Sequence, residues 1–109
     1  MKLAYKRKNV GWDIFLIRDN GEDVKSFVEV FTLPDSLGQR PAAYIHKVAT
    51  DPEYRGKGYA SDLLNEAVRF AKRRGCHKVF LICRDELIPF YQRLGFQEDH
   101  QSVMVVRFP

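Results

Sequence analysis

The sequence has few features that support a metal site, a disulfide scaffold or a membrane segment. Its two cysteines, Cys76 and Cys83, form neither a CxxC pair nor part of a histidine cluster, so a zinc site is not expected. The chain has no apolar run long enough to cross a membrane and no recognisable signal peptide. We therefore expect a soluble, cytoplasmic protein with no bound metal and no membrane partner.

Internal repeats, low-complexity tracts and linkers are also absent, which favours a single domain over residues 1–109. A chain of 109 residues buries about two-thirds of its unfolded surface, which is enough for one core. Its net charge of +4 mildly favours neutral or anionic small molecules over polycations as partners. Nucleic acid is not an expected partner, because basic residues of the longest predicted helix alternate with acidic ones.

The hydrophobic pattern predicts an α+β fold, in which helices cover a mixed, mostly antiparallel sheet. Strands are predicted at residues 3–8, 12–18, 24–31, 43–50 and 78–83, with two further short strands at 96–98 and 102–108. Asn20-Gly21 predicts a type I′ turn between the second and third strands, and residues 32–41 read as a loop. An amphipathic helix is predicted at residues 59–74, ended by Gly75, and a short helix is predicted from a cap at Asp85 to Gly95.

The most informative segment joins the strand at residues 43–50 to the long helix. Gly56 and Gly58 permit a tight turn and a close approach of an anion to the main chain. The first amides of the following helix have no intrahelical acceptor and can bind phosphate, while Arg55 and Lys57 add positive charge. The segment therefore predicts a site for the phosphate groups of a cofactor.

Two motifs, taken in order, resemble those of a known enzyme family. Residues 55–60 read Arg-Gly-Lys-Gly-Tyr-Ala, which has the form Arg-x-x-Gly-x-Ala, and residues 90–96 read Phe-Tyr-Gln-Arg-Leu-Gly-Phe. Together they resemble the GCN5-related N-acetyltransferases, which transfer an acetyl group from acetyl-coenzyme A to amines. Residues 74–78, with Cys83 and Phe90-Tyr91, are most similar to the glucosamine-phosphate N-acetyltransferase branch.

The resemblance implies where acetyl-coenzyme A would bind. The sheet should splay between the strands at residues 43–50 and 78–83, so that the first of them exposes backbone groups to the pantetheine arm. Main-chain amides of residues 56–61 should hold the pyrophosphate. The residues that the resemblance assigns to the cofactor are Val48, Ala49, Thr50, Arg55, Gly56, Lys57, Gly58, Tyr59, Ala60, Ser61 and Phe90.

The resemblance also implies a direct transfer in which Tyr91 protonates the departing thiolate. His46 stands where many relatives have a glutamate. An imidazole can act as a base at neutral pH, although a half-buried strand histidine bonded to backbone is the alternative reading. Strand alternation predicts that Lys47 points to the opposite face from His46. Cys83 lies inside a buried-strand pattern and reads as a small core residue. Direct transfer needs no covalent enzyme intermediate, so neither cysteine need be a nucleophile.

Two departures from the family pattern leave the acceptor open. Arg84 replaces a frequent asparagine; it either reaches a phosphate or acidic substrate or is simply exposed. Residues 9–11 leave no room for the helices that wall the acceptor site in most relatives, so that site is open, supplied by residues 32–41 or completed by a second subunit. The acceptor is a small-molecule amine, which includes amino sugars, or a peptide amine. A homodimer paired through the last strands fits the sequence, and a non-catalytic coenzyme A-binding module is the alternative function.

Overall fold

The protein folds as a mixed β-sheet that carries one long and one short helix, as seen in a computed structural model that describes residues 4–9, 11–18, 23–35 and 37–109. The strands are β1 Ala4–Asn9, β2 Asp13–Arg18, β3 Val24–Leu33, β4 Ala42–Thr50 and β5 Lys78–Leu81. The helices are α1 Tyr59–Arg73 and α2 Ile88–Arg93, preceded by 3₁₀ turns at Pro52–Tyr54 and Asp85–Leu87. The predicted Asn20-Gly21 turn lies outside the described residues.

The five described strands follow one another in space in the order of the sequence, β1-β2-β3-β4-β5. Each of the first three strands pairs antiparallel with the next, and β4 pairs parallel with β5 across the connection that contains α1. The predicted mixed, mostly antiparallel sheet is therefore confirmed. The predicted loop at residues 32–41 begins too early, because β3 continues to Leu33, which pairs with Ala42.

One face of the sheet packs against α1 to form the core. The apolar stripe of the helix falls at helical spacing and is buried against apolar side chains of β2, β3 and β4. The buried side chains of this core include Phe15, Val28, Val30, Ala43, Ile45, Leu63, Leu64, Ala67, Phe70 and Ala71. The helix ends as predicted at Gly75, whose φ of +79° lets its N–H reach the carbonyl of Lys72 at 3.0 Å.

A β-bulge interrupts β4 at His46. Val30 pairs with Ile45, whereas the preceding Glu29 pairs with Lys47, so His46 is an extra residue without a partner on β3. Val30 lies in the core, and therefore Glu29 and its partner Lys47 face away from α1. His46 faces the same way, because it follows the core residue Ile45. The prediction that Lys47 and His46 point to opposite faces is thus wrong, since the bulge shifts the alternation.

The last third of the chain departs most from its predicted pattern. The strand predicted at residues 78–83 ends at Leu81, and residues 96–109 form neither of the two predicted strands. Within the part of the chain that the structure describes, those two segments have no neighbouring strand to satisfy their backbone groups. Asp85 does not cap a helix; it is the first residue of a 3₁₀ turn, and Arg84 holds the cap position without a side-chain hydrogen bond.

Candidate active site

A cleft opens where β4 and β5 separate, as predicted. Their pairing joins residues 42–45 of β4 to Lys78–Leu81 of β5 and stops there, while β4 continues to Thr50 along β3 alone. The opening holds a cavity of about 320 Å³, whose lining includes His46, Val48, Ala49, Leu81, Leu87 and Tyr91. The edge of β4 that faces away from β3 is therefore accessible to an extended ligand over residues 46–50.

The glycine turn leads from the end of β4 into the first turn of α1. Gly56 and Gly58 have φ values of +78° and +80°, in the left-handed region that glycine accepts without strain. The first helical hydrogen bond runs from the N–H of Asp62 to the carbonyl of Gly58, so the amides of residues 59–61 precede the helical ladder. A Cβ added at either glycine would meet no atom within 4 Å, so open space lies beside the turn.

Two lysine side chains contact the ring of Tyr54, which lies in the 3₁₀ turn before the glycines. The Nζ atoms of Lys25 and Lys57 each lie 5.1 Å from the ring centroid. The Nε of Arg55 donates to the carbonyl of Thr50 at 3.3 Å and ties the turn to the end of β4. Arg55 and Lys57 therefore bring positive charge to the glycine turn, which favours an anionic ligand there, whereas Lys25 is paired at 3.8 Å with the carboxylate of Asp51.

Tyr91 lies in α2 with its side chain at the inner wall of the cleft, and it is 8% exposed. Its ring packs edge-to-face against Phe90 at 5.0 Å and against Phe96 at 5.8 Å between centroids. Burial raises the pKa of the Tyr91 phenol above its ordinary value, and the neighbouring Cys83 thiol raises it further. The phenol is therefore protonated at neutral pH, as a proton donor must be.

Cys83 follows β5 and lines the same cleft. Burial raises the pKa of its thiol, and the carboxylates of Asp85, Glu98 and Glu86 add to the increase. The thiol form is thus favoured at neutral pH, whereas nucleophilic cysteines depend on a thiolate. Cys83 is partly buried and packs against the core, as the sequence predicted.

His46 projects from the bulge into the mouth of the cleft. Its side chain is exposed, whereas the alternative interpretation of His46 as a strand histidine bonded to backbone required it to be half-buried. Its ring centroid lies 5.8 Å from those of Phe31 and Tyr44. Both neighbours belong to a row of contacting rings on the face away from α1: Trp12, Phe31, His46, Tyr44 and Phe80. This row was not predicted from the sequence, because its members come from distant parts of the chain and only Tyr44 and His46 share a strand.

The rim of the site is open on two sides. Arg84 is exposed at the cleft, with its guanidinium 3.8 Å from the carboxylate of Glu86. Residues 10–12 are too few to form a helix between β1 and β2, in agreement with the predicted loss of the first helices.

Among the described residues, no three potential metal ligands cluster, and no helix combines the length and apolarity needed to cross a bilayer.

Comparison with known proteins places the sequence in one family. The model of the acetyltransferase (GNAT) family matches residues 3–96. A glucosamine 6-phosphate N-acetyltransferase from Trypanosoma brucei brucei is 29% identical over 98 residues, which cover 90% of this chain and 67% of that protein. An uncharacterised N-acetyltransferase from Methanocaldococcus jannaschii is 35% identical over 100 residues, but the chain spans only 43% of its length.

A solved structure supports the same fold. The crystal structure of an acetyltransferase from Trypanosoma brucei superposes with a TM-score of 0.81 at 24% identity, covering 89% of this chain and 70% of that one. The two motifs had indicated this family, and residues 74–78 with Cys83 and Phe90-Tyr91 had indicated similarity to its glucosamine-phosphate branch; the relatives found agree with both. The chain therefore belongs to the acetyltransferase (GNAT) family.

Proposed function

We propose that this chain binds acetyl-coenzyme A in the cleft between β4 and β5 and transfers the acetyl group directly to a primary amine. The observation that carries the proposal is that a single cavity joins the accessible edge of β4, at Val48 and Ala49, to the buried phenol of Tyr91. A thioester held along that edge would have its sulfur near the Tyr91 phenol. Burial keeps this phenol in its neutral form, which can donate a proton. The position of Tyr91 in the cavity and its protonation state thus both support a role as proton donor to the leaving thiolate.

The donor would be held mainly by main-chain atoms. Residues Val48, Ala49 and Thr50 offer the strand edge for the pantetheine arm, as a peptide adds to a sheet. The turn from Arg55 through Ser61 offers amides and positive charge for the pyrophosphate. Phe90 packs against Tyr91 and fixes the ring from the side of α2.

The proposed chemistry needs one base and one acid. The amine lone pair attacks the thioester carbonyl carbon, and the negative charge moves to the carbonyl oxygen, where an N–H of the bulged region of β4 can stabilise it. The C–S bond then breaks, and the thiolate takes the proton of the Tyr91 phenol, which is later restored from solvent. His46, which is exposed at the mouth of the cleft, would take the proton that the amine loses.

The acceptor class remains a small-molecule or peptide amine. The relative from Trypanosoma brucei brucei is named for glucosamine 6-phosphate, so an amino sugar phosphate is the first acceptor to test. Arg84 and Lys47 border the cleft and would favour an anionic group on the acceptor.

The second candidate is a non-catalytic module that binds an acyl-coenzyme A without transferring it. It is favoured by the short β1–β2 connection, because nothing in that connection can wall an acceptor site. Thioester cleavage in the presence of a panel of amines separates the two functions. Donor binding without any amine-dependent release of thiol would favour the module.

Donor binding is tested by thermal unfolding with acetyl-coenzyme A, coenzyme A and ATP. At a hundred times its Kd, a specific ligand stabilises by about 2.7 kcal/mol, which raises Tm by about 10 °C in a domain of this size. We expect both coenzyme A forms to give that shift and ATP to give much less. An equal shift with ATP, or none with acetyl-coenzyme A, would contradict the proposal.

Gly58→Ala and Gly38→Ala form a matched pair for the same measurement. Both glycines have a left-handed φ, +80° and +77°, and an added Cβ meets no atom within 4 Å at either position. Each substitution should therefore cost a similar 1–2 kcal/mol or so of stability from backbone strain alone. Only Gly58→Ala should also lose most of the donor-induced increase in Tm, because Gly58 lies within the proposed phosphate site and Gly38 lies outside it.

A further inference from the structure

The row of contacting rings crosses the sheet on the face away from α1. Trp12 stacks on Phe31 with ring centroids 5.3 Å apart, and Tyr44 stacks on Phe80 at 5.1 Å. His46 lies between the two pairs, with its ring centroid 5.8 Å from those of Phe31 and Tyr44. The rings of the two pairs are half-buried, His46 is exposed, and none of the five is among the described residues of the core. The row is therefore an apolar surface that remains in contact with solvent.

The row crosses the sheet at the closed end of the cleft. Pairing between β4 and β5 stops at Ile45 and Leu81, so the cleft opens from His46 onward. The glycine turn, which is the proposed phosphate site, is tied to Thr50 at the other end of the same strand edge. A donor bound as proposed therefore has its pyrophosphate near Thr50 and its thioester toward His46, and an attacking amine must reach that second end.

The two halves of the row differ in what surrounds them. The indole N–H of Trp12 donates to the carboxylate of Glu29 at 2.7 Å, which fixes this ring beside Phe31. In the other half, the ammonium of Lys78 lies 5.4 Å from the centroid of Phe80 and covers part of that ring. The half formed by Phe31 and Trp12 is therefore the better contact surface for a molecule that also reaches His46.

A surface of this kind favours an aromatic ring on the bound molecule. Aromatic rings attract one another in offset stacks or edge-to-face, and such contacts contribute more than the buried area alone. Rings that already pack against each other lose little conformational freedom when a ligand binds. The carboxylate of Glu29 beside Trp12 disfavours an anionic group at this position. The matching ligand is therefore an amine whose body is an uncharged ring.

We propose that Phe31 and Trp12 form the acceptor subsite, and that the acceptor is an amine joined to an aromatic ring by a short alkyl chain. This inference rests on the proposed acetyl transfer, because the thioester and His46 define where the amine must lie. The centroids of His46 and Phe31 are 5.8 Å apart, so one small molecule can contact both. Phe31 and Trp12 would then hold the ring while the amine faces the imidazole.

The acceptor preference of the unmodified chain tests the substrate class. With saturating acetyl-coenzyme A, kcat/KM per unprotonated amine should be about 10-fold or more higher for 2-phenylethylamine than for ethylamine, because only the first buries a ring. 2-Cyclohexylethylamine, which is apolar but not aromatic, should fall at least about threefold below 2-phenylethylamine. A preference over ethylamine of less than about threefold overturns the proposal, as does a faster reaction with glucosamine 6-phosphate.

Phe31→Leu and Phe27→Leu form a matched pair for the position of the subsite. Both phenylalanines are half-buried in β3 and alternate with the core residues Val28 and Val30, so they share the face away from α1, but Phe27 lies outside the row. Phe31→Leu should raise the KM for 2-phenylethylamine about 10-fold, whereas Phe27→Leu should keep it within about twofold. Circular dichroism checks that both variants fold. An equal change in the two variants overturns the subsite.

The fluorescence of Trp12, the only tryptophan of the chain, reports acceptor binding without acetyl transfer. With coenzyme A bound, 2-phenylethylamine should change the emission saturably in the parent and in Phe27→Leu, and the half-saturating concentration should rise about 10-fold in Phe31→Leu. A saturable change in a chain that transfers no acetyl group would support the subsite and contradict the proposed function. Acetyl transfer to ethylamine with no response of Trp12 to the aromatic amine would support the function and overturn the subsite.

Discussion

Tyr91 and Cys83 line the same two cavities. One is the cleft between β4 and β5, and the other is a groove of about 730 Å³ on the far side of β5, whose lining also includes Val68, Val79 and Leu94. Burial raises the pKa of both groups, and the thiol contributes to the increase at the phenol. Two protonated groups therefore stand together at the point where the proposed reaction releases a thiolate. Substitution of each in turn identifies which of them serves the reaction.

Tyr91→Phe keeps the ring and removes the phenol proton. We expect kcat to fall by about 100-fold or more, with the KM for acetyl-coenzyme A nearly unchanged, because the proton is needed only as the thiolate leaves. Steady-state kinetics measure both values. Tyr44→Phe, which removes a phenol that does not line the cleft, is the control. A Tyr91→Phe enzyme within about threefold of the parent would show that the acid is another group.

The pH profile gives an independent check on Tyr91. Its pKa is raised above the ordinary value of about 10, so the donor form is complete throughout the neutral range and is lost only as the pH rises past the raised value. The rate should therefore show no alkaline decline from this group between about pH 7 and pH 9. A decline in that range that Tyr91→Phe abolishes would contradict the assignment.

Cys83→Ser should leave turnover within about threefold of the parent, because direct transfer forms no acyl-enzyme. Intact-protein mass spectrometry after incubation with acetyl-coenzyme A alone should detect no added acetyl group. The raised pKa of Cys83 also keeps the thiolate scarce at neutral pH, so its alkylation by iodoacetamide should accelerate only at higher pH than for an unperturbed thiol. An acetylated Cys83 that transfers its group to an amine would replace the proposed mechanism.

Much of this arrangement follows from local sequence. The glycines at positions 56, 58 and 75 have the left-handed φ values that their predicted turns require, and the apolar period of α1 determines which face it buries. The splay between β4 and β5 also agrees with the prediction, although that prediction came from the family resemblance. Prediction from local sequence was correct where a single residue type, such as glycine, or a single hydrophobic period determines the backbone conformation.

Other features depend on pairing between distant residues, which a single sequence does not encode locally. The bulge at His46 exists because β3 pairs with β4 in two registers, on either side of Glu29 and Val30. Residues 102–108 have strand composition, but a strand also needs a partner, and none of the described strands pairs with this segment. The face of Lys47 and the strand predicted at residues 102–108 were mispredicted for this shared reason.

The bulge makes His46→Gln and Lys47→Gln an informative pair. The two side chains are adjacent and lie on one face, but only His46 carries an imidazole, the side chain used most often as a general base. We expect His46→Gln to lower kcat by about 10-fold or more, and Lys47→Gln to leave kcat within about threefold of the parent. A His46→Gln enzyme that keeps the parent kcat would assign the base to another group.

A last prediction concerns the end of α1, where Arg40 reaches across from the β3–β4 connection. Its Nε donates to the carbonyl of Gly75 at 3.0 Å, and a terminal nitrogen donates to the carbonyl of Cys76 at 2.7 Å. These carbonyls lie just past the helix, so the guanidinium adds both hydrogen bonds and a favourable charge at the negative end of the helix dipole. We expect Arg40→Ala to lower the free energy of unfolding by about 1 kcal/mol, since the exposed side chain is partly screened.

Arg40→Lys is the matched control for that substitution. Lysine keeps the charge but lacks the planar fork that bonds two carbonyls at once, so it should recover less than half of the lost stability. Urea unfolding measures the difference, and kcat should be unchanged in both variants because Arg40 lies outside the cleft. Equal stability of Arg40→Lys and the parent would show that charge alone, and not the paired hydrogen bonds, holds the β3–β4 connection to the end of α1.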